Sequence, residues 1–366
     1  MFLALRELRF ARSRFALMAA VVALIAVLMV LLSGLSSGLV NDGVSGLRRL
    51  PVTAFAFADG TRADGAFSRS VIDSGQVEAW RGQPGVEAAE PFGNTLVNAH
   101  SGAGAPIDLA LFGVRPGSFL DPVPAGGTRL GGEDGIVVSS TLLDAGLRLG
   151  DTVTVDRLGV ELTVVGATAD QRTFGHVDVA YLPLDTWRRI HNAADGEATA
   201  VAIKARAGAA PDLAAGDAAA GTTSMTLADA FATSPGYTAE TSTLTLIQVF
   251  LYAISALVVG AFFTVWTIHR THELAVLRAI GASRAYLLRD GLAQALLILV
   301  AACGTGVLAG VGVGALVADG DVPFALETPA VLTAAGLLIT LGLLGAATAI
   351  VRIAAVNPLA ALGAQR

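Results

Sequence analysis

Apolar residues along this chain follow two unlike patterns. At 15–38, 243–268, 292–317 and 329–351 they form long runs without a single charged side chain. A hydrocarbon core about 30 Å thick takes about 20 helical residues, so each run predicts a membrane-crossing helix. Residues 41–239 instead carry short apolar pieces separated by Gly, Pro, Asp and Ser. Their alternation predicts strands over Val52–Phe57, Ile107–Val114, Ile136–Ser139, Thr152–Val155, Val160–Ala167, Val177–Leu182 and Ala200–Ala205. Short helices are predicted over Ser74–Arg81, Ser140–Gly146 and Leu184–His191, with Ser74 and Ser140 as candidate caps. Residues 207–221, rich in Ala and Gly, read as a loop or a weak helix. The predicted fold class is membrane α-helical, with four transmembrane helices and a large extracytoplasmic α+β domain.

Charge sets the expected orientation. Arg6, Arg9, Arg12 and Arg14 precede the first run, Arg270 to Arg289 lie between the second and third, and Arg352 and Arg366 follow the fourth. The loop after the third run holds Asp319, Asp321 and Glu327 and no basic residue. Positive charge stays inside, so a multi-pass protein of the cytoplasmic (inner or plasma) membrane is expected, with both termini cytoplasmic. Residues 1–14 place Leu5 and Leu8 against Arg6 and Arg9 at helical spacing, which reads as a cytoplasmic interfacial helix. The plainer reading is a positive flank to the first span. That span exceeds a signal-peptide core and no clear A-x-A site follows it, so an uncleaved anchor is expected. Residues 269–291 are then a cytoplasmic segment and 352–366 a cytoplasmic tail.

Composition removes several functions. The 366 residues are 54% hydrophobic and 15% charged, with a net charge of −6, which speaks against a nucleic-acid partner. Lys204 is the sole lysine and has no Gly-Lys-Ser/Thr context, so the chain is not expected to be its own ATPase. Cys303, the one cysteine, lies in an apolar run and reads as a packing residue. His100, His176 and His191 are scattered, with no carboxylates or cysteines at metal-ligand spacing. Trp80 and Trp187 read as core, and no Gly-x-Ser-x-Gly elbow is present. Gly304-x-Gly306-x-x-Ala309 follows an apolar helix rather than a strand, so it is no dinucleotide fingerprint. Gly306, Gly310 and Gly314 instead form a small-residue ridge for helix packing. No catalytic residue, metal site or resident cofactor is expected.

The organising stretch runs from the second span into 269–291. Here His269, Arg270, His272, Glu273 and Arg278 interleave with Leu274, Val276, Leu277 and Ile280, an amphipathic pattern at a membrane surface. Gly281-Ala282-Ser283 ends it, with Ser283 placed to cap the next helix. Arg270-x-x-Glu273-x-Ala-Val-Leu277-Arg278-Ala-Ile-Gly281-Ala282-Ser283 resembles the signature of FtsX/MacB-type permeases, the membrane subunits of one class of ABC transporters. Asn357-Pro358-Leu359 resembles that family's closing motif, and GYTAETSTL before the second span is similar to the haem-exporter (HrtB-type) branch.

The resemblance implies a separate ABC ATPase subunit docking on Arg270, Glu273, Leu277, Arg278, Gly281, Ala282 and Ser283, and a second copy of the chain beside the first in membrane lipid. ATP-driven closure would push on the amphipathic segment and move the α+β domain as a rigid body. The branch further implies haem as cargo, held by a glutamate at the outer leaflet, here Glu240. Tyr237 and Tyr252 are secondary candidates, and Phe250, Phe262, Phe263 and Trp266 either line a flat site or face lipid. Against this, carboxylate is not a common axial ligand, and the first span offers only Met18 and Met29. From spacing alone Glu240 is an ordinary interfacial residue. Export of lipoproteins, peptides or drugs, and a signalling permease that activates a cell-wall hydrolase, stay open beside haem export.

Overall fold

The computed structural model describes residues 12–269, 276, 280–318, 320 and 322–354. They form two compact units: Val40–Glu240, and a helical unit drawn from the residues before and after it.

The Val40–Glu240 unit is α+β. Its strands are β1 (Ala54–Ala58), β2 (Val86–Ser101), β3 (Pro106–Val114), β4 (Gly126–Gly127), β5 (Gly135–Val138), β6 (Thr152–Val155), β7 (Val160–Ala167), β8 (Thr173–Phe174), β9 (Val177–Pro183), β10 (Ala200–Ala205) and β11 (Thr222–Thr226). They join in one mixed sheet of order β11-β1-β10-β2-β3-β9-β5-β7-β4, with β6 beside β2 and β7, and β8 beside β9. Alternation sorts the side chains of each strand onto opposite faces. Ala54 and Ala56 of β1, Leu109 and Leu111 of β3, and Ala180 and Leu182 of β9 enter one buried cluster with Trp80 and Trp187. Their neighbours Phe55, Phe57, Ala110, Phe112, Val179 and Tyr181 enter the other. The second cluster holds a run of rings, Phe55, Phe67, Phe92 and Phe112, with centroids 5.0–5.6 Å apart in tilted and edge-to-face pairs.

Helices α2 (Ser74–Arg81), α3 (Ser140–Asp144), α4 (Leu184–His191) and α5 (Leu213–Ala220) belong to this unit; α1 (Arg12–Arg48) is the long helix that comes first among the described residues. The caps differ from expectation by one residue. Asp73, not Ser74, caps α2: its carboxylate accepts the Gln76 amide at 3.0 Å and the Gln76 side chain accepts the Asp73 amide at 3.0 Å. Ser140 likewise starts α3 rather than capping it. Ser139 occupies the cap position, yet its hydroxyl accepts the Arg172 amide at 3.0 Å instead. β2 and β11 were not announced by alternation. β2 contains Pro91, Gly93 and Asn94, residues that ordinarily break a strand. Gly93 and Gly113 have the Trp187 side chain packed where a Cβ would stand, so the indole of α4 needs both positions bare. Residues 207–221 include α5, capped by Asp212, and Gly216 of that helix lies under the Trp80 ring.

The helical unit takes in the described residues of α1 up to Leu39, together with α6 (Tyr237–His269) from Thr241, α7 (Arg284–Ala318) and α8 (Thr328–Ala354). All four helices are long and apolar enough to cross a membrane. Glycines set their closest approaches. At Gly306 a Cβ would meet the Ala26 side chain at 2.7 Å, and at Gly310 that of Val30 at 2.9 Å, so the α7 ridge packs on α1. Gly345 of α8 sits on the Ala256 carbonyl of α6, 2.5 Å from where a Cβ would be. The third ridge position, Gly314, does not meet a helix: it packs on Phe324 in the α7–α8 loop. Cys303 is buried with Met29 and Leu338, and Met18 and Phe263 are buried in the neighbouring cluster.

Candidate functional site

Several places hold the residues singled out by sequence. The first is the expected ATPase-coupling segment. Arg270, Glu273, Leu277 and Arg278 lie outside the described residues. Gly281 adopts φ 108°, a backbone setting that favours glycine, and the chain then enters α7. The Ser283 hydroxyl accepts the Tyr286 amide at 3.1 Å, so Ser283 caps α7. Ile280 and Val276 are exposed, and Ala282 is half-buried.

The second place is the start of α6, and it changes the reading of Glu240. β8 and β9 are joined by Gly175 and His176, with φ of 60° and 64°. Two successive positive φ values are those of a type I′ hairpin turn, which presents His176 at the tip. Its Nδ1 lies 2.8 Å from Asp42 Oδ2, on the last turns of α1. Its Nε2 lies 3.1 and 3.2 Å from the two oxygens of Glu240. The scattered histidine of the sequence is therefore bracketed by two carboxylates. Burial of the ring lowers its pKa, but the hydrogen bond to Asp42 and the charges of Glu240 and Asp42 outweigh this, and the pKa is raised. A protonated imidazole satisfies both carboxylates, whereas a neutral one donates to only one.

Further bonds fix the same junction. Gly175 N–H donates to the Gly43 carbonyl at 2.9 Å, and the Ser234 hydroxyl donates to that carbonyl at 2.8 Å. Ser45 and Thr173 hydroxyls meet at 2.8 Å, and the Gln171 amide reaches Asp42 at 3.3 Å. The hairpin tip thus ties the end of α1 to the segment that opens α6. Sequence reasoning missed Asp42 and read His176 only as a scattered histidine; no local spacing links residues so far apart. Tyr237, one turn before Glu240, packs edge-on against Phe231 with centroids 6.3 Å apart.

Tyr252 belongs to a third place. Twelve residues of helix, about 18 Å, separate it from Glu240, so the structure does not bring the two together. It lines a cleft of about 490 Å³ with Ser33, Ser36 and Ser37 of α1, Thr245, Gln248 and Val249 of α6, and Thr333 and its neighbours on α8. Of the aromatic candidates, Phe263 is fully buried and stacks edge-on with Phe262 and Trp266, whereas Phe250 is exposed.

Last come the other two histidines of the Val40–Glu240 unit, each with partners of its own. His100 Nδ1 lies 2.7 Å from Asp156, and His191 stacks on Trp187 with its Nδ1 2.7 Å from the Thr95 hydroxyl. Burial lowers the His191 pKa against the opposing charge of Glu197. Among the described residues no group of His, Cys, Asp and Glu is arranged to hold a metal ion.

Four helices long and apolar enough to span a membrane, with a mixed-sheet unit inserted after the first, define a multi-pass membrane protein. Residues 15–220 match the MacB-like periplasmic core domain and residues 245–358 the FtsX-like permease C-terminal model. The chain belongs to the MacB/FtsX-type family of ABC transporter permeases. A Staphylococcus haemolyticus relative, provisionally named hemin transport system permease protein HrtB, is 23% identical over 99% of both chains. An uncharacterized ABC transporter permease of Mycobacterium tuberculosis is 24% identical over 99% of both. Among solved structures, the periplasmic region of MacB from Actinobacillus actinomycetemcomitans aligns with TM-score 0.38 and 14% identity, covering 49% of this chain and 91% of that one. The extracellular domain of the transporter YknZ gives TM-score 0.35 at 14% identity, with coverage of 48% and 98%. An ABC permease works with an ATPase subunit, so such a partner is implied.

Proposed function

We propose that this chain is the permease of an ABC exporter that expels haem or a similar membrane-embedded amphiphile, and that it performs no hydrolysis itself. The observation that carries the cargo is the end-to-end similarity to the staphylococcal protein named for hemin transport. The chain acts as a homodimer in the cytoplasmic membrane, both termini inside, with the ATPase bound at 269–291. Closure of the ATPase pushes that segment, and α6 transmits the push to its first turn, where Glu240 meets His176. Glu240, with Tyr237 beside it, contacts the cargo there. His176 neutralises the carboxylate between cycles, which removes the cost of a lone charge at the membrane boundary.

The test is haem tolerance in cells that depend on this chain for it, together with haem-stimulated ATP hydrolysis by the chain reconstituted with its ATPase. Glu240→Ala should lower both by about tenfold, the loss of one charge-assisted contact of roughly 1.5 kcal/mol. Wild-type chain that confers no haem tolerance and whose complex ignores haem would remove haem as the cargo.

A further inference from the structure

The start of α7 lies along another cleft, of about 1020 Å³, which it shares with α8. The two helices touch behind it. A Cβ at Gly291 would meet Ile350 at 2.9 Å and one at Gly342 would meet Leu299 at 3.0 Å, and all four residues are buried. In front, Leu296 and Leu344 are 42% and 56% exposed, so the cleft is a groove along the seam that opens outward. Its lining is graded. Tyr286, Arg289, Asp290, Ala293 and Leu296 fall at i, i+3, i+4, i+7 and i+10, one face of α7 that passes from polar to apolar. On α8, Thr340, Leu343, Leu344 and Ala347 form the facing stripe at i, i+3, i+4 and i+7, with no charge among them. The Thr340 hydroxyl turns back on the Gly336 carbonyl at 2.7 Å, so this side is apolar throughout.

The polar end carries one charge of each sign, and the two do not neutralise each other. Arg289 is exposed and makes no ion pair or hydrogen bond among the described residues. Asp290 is half-buried and accepts a single hydrogen bond, from the Gln294 amide at 3.1 Å. Ionised groups at the mouth of a spanning helix are costly unless hydrated or paired. A basic flank that only fixes the orientation of α7 requires arginine, but it gives no reason for Asp290 beside it. Two hydroxyls complete this end. Ser283 Oγ accepts the Tyr286 amide at 3.1 Å and keeps its own proton for another acceptor, and the Tyr286 side chain is 53% exposed. An ATPase docked on 269–291 could cover the polar end. Leu296 and Leu344, however, lie within the uncharged runs 292–317 and 329–351, where only lipid or another helix reaches.

We infer that this cleft holds one phospholipid whose headgroup carries both a phosphate and a primary amine, the chemistry of phosphatidylethanolamine. The Arg289 guanidinium donates paired N–H bonds to the phosphate, and the Ser283 and Tyr286 hydroxyls donate to its remaining oxygens. The amine donates to the Asp290 carboxylate, which a choline headgroup cannot do because its quaternary nitrogen has no N–H. One acyl chain lies on Leu296, Leu343 and Leu344. From Ser283 to Leu296 the stripe is about 20 Å long, which accommodates a headgroup and the upper part of a chain. In the topology proposed above this lipid belongs to the inner leaflet. Its headgroup then borders Gly281-Ala282-Ser283, the turn that leads out of the expected ATPase-coupling segment. The assignment is independent of the cargo and stands whether or not the chain exports haem.

The experiment is native mass spectrometry of the full, delipidated chain in detergent, titrated with phosphatidylethanolamine, phosphatidylglycerol and phosphatidylcholine of identical acyl chains. Arg289→Gln, Asp290→Asn and Leu344→Trp are compared with wild type, each first shown to unfold at the wild-type temperature. Wild type should bind one phosphatidylethanolamine about tenfold more tightly than phosphatidylcholine. Asp290→Asn should erase that preference while leaving phosphatidylcholine binding unchanged. Arg289→Gln should weaken both lipids about tenfold, and Leu344→Trp, which fills the groove, should weaken all three. Free phosphoethanolamine at millimolar concentration should not displace the lipid; displacement would make this a site for a soluble phosphate and overturn the proposal. Equal binding of the three lipids to wild type, the behaviour of an ordinary lipid shell, overturns it too. So does a preference for phosphatidylglycerol, or a phosphatidylethanolamine preference that survives Asp290→Asn. A dimer that Leu344→Trp splits with lipid affinity unchanged would give the groove to a second copy and likewise overturn it.

Discussion

The two units bury apolar surface under opposite rules. In Val40–Glu240 the largest apolar side chains are buried: Phe55, Phe57, Phe92, Phe112, Trp80 and Trp187 are all inside. In the spanning helices equally apolar side chains stand out, with Leu257 at 73%, Leu308 at 77% and Leu316 at 78% exposure. Water drives the first set together; lipid is as apolar as leucine and offers no such drive to the second. The helices are held instead by bare backbone contacts at glycines, Gly306 on α1 and Gly345 on α6. Exposure therefore marks a surface in one unit and the lipid face in the other.

The sharpest way to break this contrast is to empty the sheet unit's core. Trp80 is fully buried, covers Gly216 and donates its indole N–H to Thr222 at 3.0 Å. Trp80→Ala should cost about 3–5 kcal/mol through the cavity it leaves. Denaturant unfolding of the full chain in detergent, followed by near-UV circular dichroism, reads the loss. A variant within 1 kcal/mol of wild type would mean that the cluster around Trp80 is not the core.

The second test adds bulk where the helices touch. A Cβ at Gly306 already presses on Ala26, so Gly306→Leu should force α7 from α1 and cost about 1–3 kcal/mol. Gly312 lies on the same helix with nothing within 4 Å of its Cβ position. Gly312→Leu should therefore leave thermal stability in detergent unchanged apart from a small gain in helix propensity. Equal effects at the two glycines would show that the ridge does not set the packing.

The third effect is smaller and depends on pH. His176 has a raised pKa in the folded chain, so its contribution is complete below the unfolded value of about 6.5 and is lost as pH rises through the folded value. His191 runs the other way: its pKa is lowered, so it destabilises as pH falls through the unfolded value towards and below its folded one. The wild-type profile mixes the two, and the difference between wild type and His176→Phe isolates the first. That difference should be about 1 kcal/mol or less, because the His176, Asp42 and Glu240 side chains are between a fifth and just over a third exposed. Melting temperatures from pH 5.5 to 8.5 provide the measurement. A difference that grows with rising pH would reverse the assignment.

How much of this was legible follows the same divide. Runs without charge announce helices, and strict alternation announces strands, so β6, β7 and β10 match their predicted limits residue for residue. β2 stayed hidden because tertiary packing overrides local preference: Gly93 and Pro91 are poor strand residues, and Gly93 is needed under Trp187. Ser74 and Ser140 were plausible caps by type, but each helix starts one residue earlier than a Ser cap requires. The His176 junction was illegible for a different reason. Its partners are 134 and 64 residues away, and only the turn at Gly175–His176 and the end of α1 bring them within hydrogen-bond reach. Glu240 drew notice by its place at the mouth of an uncharged span, yet nothing nearby in the chain foretold that a histidine would face it.

The smallest expected effect tests the lipid rule itself. Leu257 lies on α6, two residues before the fully buried Val259 and two after the buried Ser255. At 73% exposure it has almost no contact with other helices, so its apolar atoms touch the surrounding hydrocarbon. Leu257→Ala removes contacts with lipid that lipid tails refill, and no cavity remains to be held open. The change should stay within about 0.5 kcal/mol, below any core leucine, for which truncation costs about 2–5 kcal/mol. Leu299, with no exposure in the helical cluster, supplies that comparison on α7. Thermal unfolding of both variants in lipid nanodiscs measures the pair. If Leu257→Ala approached the cost of Leu299→Ala, this face of α6 would be covered by another helix, and a second copy of the chain would be the first place to look for it.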